Sequence, residues 1–106
     1  MPEKEHPING SWAELTEVDK IIHEPARLAV LTILDAVESA DFLYLQKATQ
    51  LTKGNLSVHL TKLEDAGLIE IQKSFQGKIP RTLCRLTLQG KDSFEAYKGQ
   101  MKGILG

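Results

Sequence analysis

The sequence predicts a mainly helical fold carrying one small β-hairpin. Three observations point there. Apolar residues recur at helical spacing through residues 25–38 and again through 53–66. The period then drops to two in "LIEIQKSFQ", where Ile69, Ile71 and Phe75 alternate with Glu70, Gln72 and Ser74. A "GKIP" turn follows, and a second extended run, "RTLCRLT", returns. With 106 residues, 42% hydrophobic and 25% charged, the chain can bury one ordinary core.

Taken in order, residues 1–11 read as a flexible N-terminal arm, because Pro2, Pro7, Asn9, Gly10 and Ser11 crowd it. Residues 12–106 read as the folded domain. A short helix is expected from Trp12 to Ile22, with Leu15, Val18, Ile21 and Ile22 as its apolar positions. Pro25 suits the first position of the next helix, where a missing N–H leaves nothing unpaired. Leu28, Leu31, Ile33, Leu34 and Val37 make that helix, about 25–38, the central buried one. "ESAD" ends it. A short extended piece is expected at Phe42, then a short helix from Leu43 to Thr49, with Leu45, Ala48 and Leu51 pointing inward. Thr52 is a good N-cap for the helix over 53–66, and Gly67 suits its C-terminal stop. After the hairpin, Thr87 can cap a last helix over about 88–104. Phe94, Tyr97, Met101 and Leu105 recur along it, and Gly99 and Gly103 weaken its end.

Formal net charge is −1, which by itself argues for no polyanion. The distribution is uneven. Residues 1–24 carry six acids against Lys4 and Lys20, while residues 25–106 carry eleven bases against eight acids. Most of the local excess lies in 53–85: Lys53, Lys62, Lys73, Lys78, Arg81 and Arg85 against Glu64, Asp65 and Glu70. The single cysteine, Cys84, excludes a disulfide within the chain and fits a reducing compartment. No apolar run approaches a membrane span, and the acidic N-terminus lacks a signal-peptide core, so a cytoplasmic protein is expected.

The helix over 53–66 is thinly covered on its outer side. Leu56, Leu60 and Leu63 share one face. Opposite them stand Gly54, Asn55, Val58, Thr61 and Lys62, with Ser57 at the edge and no acid before Glu64. A helix that enters the DNA major groove needs this surface: small groups for close approach, with donors and acceptors for base edges.

The segments "HEPARLAVLTIL", "GNLSVHLTKLEDAGLI" and "SFQGKIPRTLCRLTLQGK" resemble the winged helix-turn-helix transcriptional regulators, in particular the small stand-alone kind related to the MarR-like and ArsR-like families. The resemblance spans roughly residues 17–97. It implies a homodimer that binds operator DNA, usually as a repressor, with a recognition helix at 53–66 and a wing at 74–81. It places Asn55, Ser57, Val58, Thr61 and Lys62 at the groove, Lys78 and Arg81 at the wing contacts, and Arg27 near the DNA backbone; Lys53, at the start of the same helix, is counted with the DNA-binding residues. Metal sensing, common among ArsR-like proteins, is not inherited. His6, His23, His59 and Cys84 sit in separate elements and cannot supply four ligands at a fitting spacing.

Each feature also has a plainer meaning. The 53–66 helix could be a packing helix, and the hairpin tip a solvated turn. Arg85 could pair with an acid, His59 could be a partly buried, hydrogen-bonded histidine, and Cys84 a small buried hydrophobe. Phe94, Tyr97, Met101 and Leu105 could line the core or, with Trp12, Leu15 and Val18, form a dimer seam from the terminal helices; the seam is the expectation. No phosphate loop, paired carboxylates or nucleophile–base signature supports an enzyme, and no cofactor is implied. The rival to a DNA-binding regulator is a winged-helix module that docks a protein instead. Double-stranded DNA and a second copy of the chain are the expected partners, with no membrane.

Overall fold

Every helix in the computed structural model, which describes residues 15–105, starts at a local cap. The 1–11 arm and Trp12 lie outside the described residues. The elements run α1 (Glu17–Ile22), α2 (Pro25–Ala36), β1 (Ala40–Asp41), α3 (Phe42–Thr49), α4 (Lys53–Asp65), β2 (Ile69–Gln76), β3 (Ile79–Leu86) and α5 (Leu88–Leu105). The strands form one antiparallel sheet in the order β1-β3-β2. Ala40 faces Cys84 across one edge of β3 and Ile71 faces it across the other. The fold is therefore mainly helical with a small sheet built on the expected hairpin.

The caps explain where the boundaries fall. Thr16 and Asp19 form a reciprocal box, each backbone N–H donating to the other's side chain at 3.0 Å. The expected helix over 12–22 therefore begins only at Glu17, leaving Leu15 and Thr16 non-helical. The Glu24 carboxylate accepts from Arg27 N ahead of Pro25, as the proline predicts a start there. α2 stops at Ala36, so Val37 is an extended cap residue and is exposed. Asp41 accepts from Tyr44 N at 2.7 Å, which makes Phe42 the first helical residue and puts the short strand at Ala40–Asp41. Thr52 accepts from Asn55 N at 3.1 Å, as expected of a cap for α4.

The C-terminus of α4 is closed by two backbone bonds, Gly67 N to Glu64 O and Leu68 N to Leu63 O, with Gly67 at φ +80°. This paired closure needs a left-handed residue, and it brings the buried side chains of Leu63 and Leu68 together. The core gathers Ile22, Val30, Leu31, Leu34, Leu45, Leu56, Leu60, Leu63, Leu68, Ile69, Cys84, Phe94 and Tyr97 around α2. Each fully buried aliphatic side chain contributes roughly 1.5–3 kcal/mol relative to exposure. Ala48 is exposed, because the eight-residue α3 reaches the core only through Leu45 and Phe42. Phe75 is exposed too: past Ile71 the hairpin leaves the body, and no described residue buries it.

Candidate nucleic-acid interface

α3, a tight turn and α4 make a helix-turn-helix. Gln50 bends the chain in the left-handed region, φ 60°, where glycine is the lower-cost residue. Thr52 then starts α4. Leu56, Leu60 and Leu63 anchor it, His59 is half-buried beside them, and the other residues of the helix are exposed. Lys53, Gly54, Asn55, Ser57, Val58, Thr61 and Lys62 are all exposed. No side chain of Asn55, Ser57 or Thr61 hydrogen-bonds to another described residue. Val58, an apolar side chain, is 54% exposed between them. A Cβ on Gly54 would meet nothing within 4 Å, so the start of α4 is open to close approach.

The hairpin continues this surface. Cross-strand partners share a face, and so do residues two apart. Ile71 and Cys84 point at the core, so the next pairs outward on that face are Lys73 with Thr82 and then Phe75 with Pro80. Lys73 and Thr82 border the same recess as Ser57 and Thr61 of α4. Sequence reasoning counted Lys73 as a base but not as a site residue. The register supplies the missing signal, through its even spacing from Ile71. Lys78 stands in the turn beside Gly77, at φ +66°. Lys53, Lys62, Lys73 and Lys78 are exposed and have no ion partner among the described residues, whereas Lys20, Arg81, Arg85 and Lys98 each pair with an acid.

The three arginines are engaged within the fold. Arg81 sits half-buried, 3.3 Å from Asp41, tying β3 to the cap of α3. Arg27, expected near the DNA backbone, is directed inward: Nε donates to Ile21 O at 2.5 Å and the guanidinium lies 3.1 Å from His59 Nδ1. It joins α1, α2 and α4. Arg85 pairs with Glu70 at 2.8 Å, the plainer of its two meanings. His59 is half-buried between Arg27 and Glu24, which matches a hydrogen-bonded histidine. His23, given no role from the sequence, meets the Tyr97 hydroxyl at 2.6 Å. Cys84 is fully buried. Desolvation, with Glu64 nearby, pushes its thiol up to about 11, so it carries little thiolate at neutral pH.

Of the expected dimer residues, Phe94 and Tyr97 lie in the chain's own core at 3% exposure, their rings stacked 6.5 Å apart. Leu15, Val18 and Met101 are half-buried, and Leu105 is exposed at the far end of α5. Among the described residues no group of three or more His, Cys, Asp or Glu side chains could hold a metal ion. No described helix is long and apolar enough to cross a membrane.

Comparison with known proteins agrees with this geometry. The family of winged helix DNA-binding domains matches residues 26–105. An uncharacterised protein of Methanocaldococcus jannaschii is 37% identical over 79 residues, which cover 74% of this chain and 85% of that protein. The solved structure of a transcriptional regulator homologue from Pyrococcus horikoshii OT3 superposes with a TM-score of 0.78 at 32% identity, covering 88% of this chain and 94% of that one. A MarR-family transcriptional regulator of Enterococcus faecalis V583 shares the fold at a TM-score of 0.71 and 20% identity, over 87% of this chain and 89% of its own.

Proposed function

The chain belongs to the winged helix DNA-binding domain family, and on that premise we propose that it is a sequence-specific, homodimeric regulator of transcription acting as a repressor. α4 enters the major groove, and the hairpin lies on the flanking backbone or minor groove. The observation that carries this is the outer face of α4. It is short-chained and polar, its hydrogen-bonding groups are unused within the described fold, and lysines without an ion partner among the described residues flank it.

The side chains divide by chemistry. Asn55 carries the donor–acceptor pair that matches adenine, and Ser57 and Thr61 can read or brace a base edge. Val58 can meet a thymine methyl. Lys53, Lys62, Lys73 and Lys78 hold phosphate, which positions the helix without reading sequence. Arg27 and Arg81 act one step back. The first fixes α4 against α1 and α2, and the second fixes the hairpin against α3. A second copy, joined through Leu15, Val18, Met101 and Leu105, would set two recognition helices about 34 Å apart, one DNA turn, on a two-fold operator.

Operator selection from a random duplex library, followed by Asn55→Ala, tests the assignment. The variant is expected to change discrimination at one operator position by roughly 1–3 kcal/mol while leaving the rest of the site in the same order. An unaltered ranking of operator variants would remove Asn55 as a base reader.

One observation favours a protein-docking module instead. Leu43, Ile79 and Pro80 are exposed around a recess of about 380 Å³ beside the stretch of β3 that lies beyond its pairing with β1. That module predicts binding insensitive to polyanions, so salt dependence separates the two.

A further inference from the structure

We infer that Phe75 is an apolar wedge that enters the minor groove beside the recognition site and opens a flexible base step there. This rests on the DNA-binding reading above and adds a contact that bends the duplex. Phe75 is 71% exposed near the end of a hairpin, where a phenyl ring forgoes most of its burial. Its cross-strand partner is Pro80, whose ring fixes the backbone opposite it.

The direction of the ring follows from register. Ile71 with Cys84, Lys73 with Thr82, and Phe75 with Pro80 occupy one hairpin face in succession. The first pair is in the core. The second borders Ser57 and Thr61 of α4, so Phe75 lies on the continuation of the proposed DNA surface. Ile79 pairs with Gln76 on the opposite face.

The chemistry around the ring selects the partner. Lys73 precedes it by two residues and Lys78 follows in the turn, both exposed and without ion partners among the described residues. No acid occurs between Ile71 and Leu86. An apolar side chain between two free ammonium groups fits a cleft with anionic rims and an apolar floor. The minor groove is such a cleft: phosphates line it, and sugars and base steps form its walls. Side chains of this kind partly unstack a step and kink the duplex. Pyrimidine–purine steps, TA above all, yield most easily.

Two end-labelled duplexes of equal length and A·T content, one with TA steps and one without, test this with the full chain at low salt. Energy transfer between the duplex ends reports bending, and anisotropy reports affinity. The unaltered chain is expected to bind the TA duplex more tightly and to raise its energy transfer. Phe75→Ala should weaken that binding roughly tenfold, abolish the transfer change and leave the salt slope intact, since no charge is removed. Phe75→Leu should keep most of both. Ile79→Ala, an apolar truncation on the other face, should resemble the unaltered chain. The wedge is overturned if Phe75→Ala bends the TA duplex normally, if Ile79→Ala is equally damaging, or if Phe75→Ala changes the chain's solution mass instead of its DNA binding. If the unaltered chain binds neither duplex, the DNA reading falls and takes the wedge with it. Intact binding with a neutral Phe75→Ala removes the wedge alone.

Discussion

Gly90→Ala is expected to destabilise the fold by about 3 kcal/mol or more, enough to unfold much of a marginal domain. A Cβ at this position would lie 1.9 Å from the Leu68 carbonyl oxygen and 2.8 Å from its carbon. These are backbone atoms and cannot swing aside. Leu68 O already accepts from Thr87 N at 3.1 Å, and Leu68 N closes α4 onto Leu63 O. The Thr87 hydroxyl donates to Gly67 O at 2.6 Å and accepts from Gly90 N at 2.9 Å. The start of α5 is thus clamped onto the junction of α4 and β2, and any retreat breaks one of these bonds. Gly99 is the control. It lies in the same helix, a Cβ there meets nothing within 4 Å, and alanine is the better helix former. Gly99→Ala should therefore gain about 0.5–1 kcal/mol. Urea unfolding followed by circular dichroism compares the two. Equal midpoints would mean that the close approach at Leu68 does not hold α5 in place.

Replacing Lys53, Lys62, Lys73 and Lys78 together with alanine is expected to remove most of the salt dependence of DNA binding. Every phosphate that the protein no longer neutralises lowers the slope of log K against log salt by about 0.9, so four of them remove roughly 3.6. The matched control is Lys91 and Lys102, which are also exposed and without ion partners among the described residues, but stand on α5. Alanine at those two should leave the slope unchanged. Exposed lysines carry little folding energy, so all these variants should unfold close to the unaltered chain. Equal effects from the α5 pair and the α4–hairpin set would mean diffuse attraction instead of a defined surface.

Features that are local in sequence were legible in it. Pro25, Thr52 and Thr87 mark helix starts within a few residues of their partners. Leu56, Leu60 and Leu63 set the buried side of α4, and their spacing alone defines its outer side. The alternation that ends at Phe75 shows the opposite case. Period two identifies the strand, but burial depends on how far the hairpin outruns the body, and only Ile69 and Ile71 are covered. Partnerships distant in sequence were also hidden. Arg27 meets His59 across 32 residues and Arg81 meets Asp41 across 40, so two cations that look like phosphate ligands in the sequence are half-buried and partnered within the chain. Lys73 reaches the site only through the register of the hairpin. The close approach of Gly90 to Leu68 spans 22 residues and is visible only in the folded chain.

The most direct measurement is fluorescence anisotropy of random-sequence duplex DNA with the full chain, at low and at near-physiological salt. Tight binding at low salt that weakens steeply as salt rises is the predicted result, because the exposed lysines on α4 and the hairpin would release counterions from phosphate. No binding at low salt by a folded chain would contradict the account and leave the outer face of α4 as a protein-docking surface.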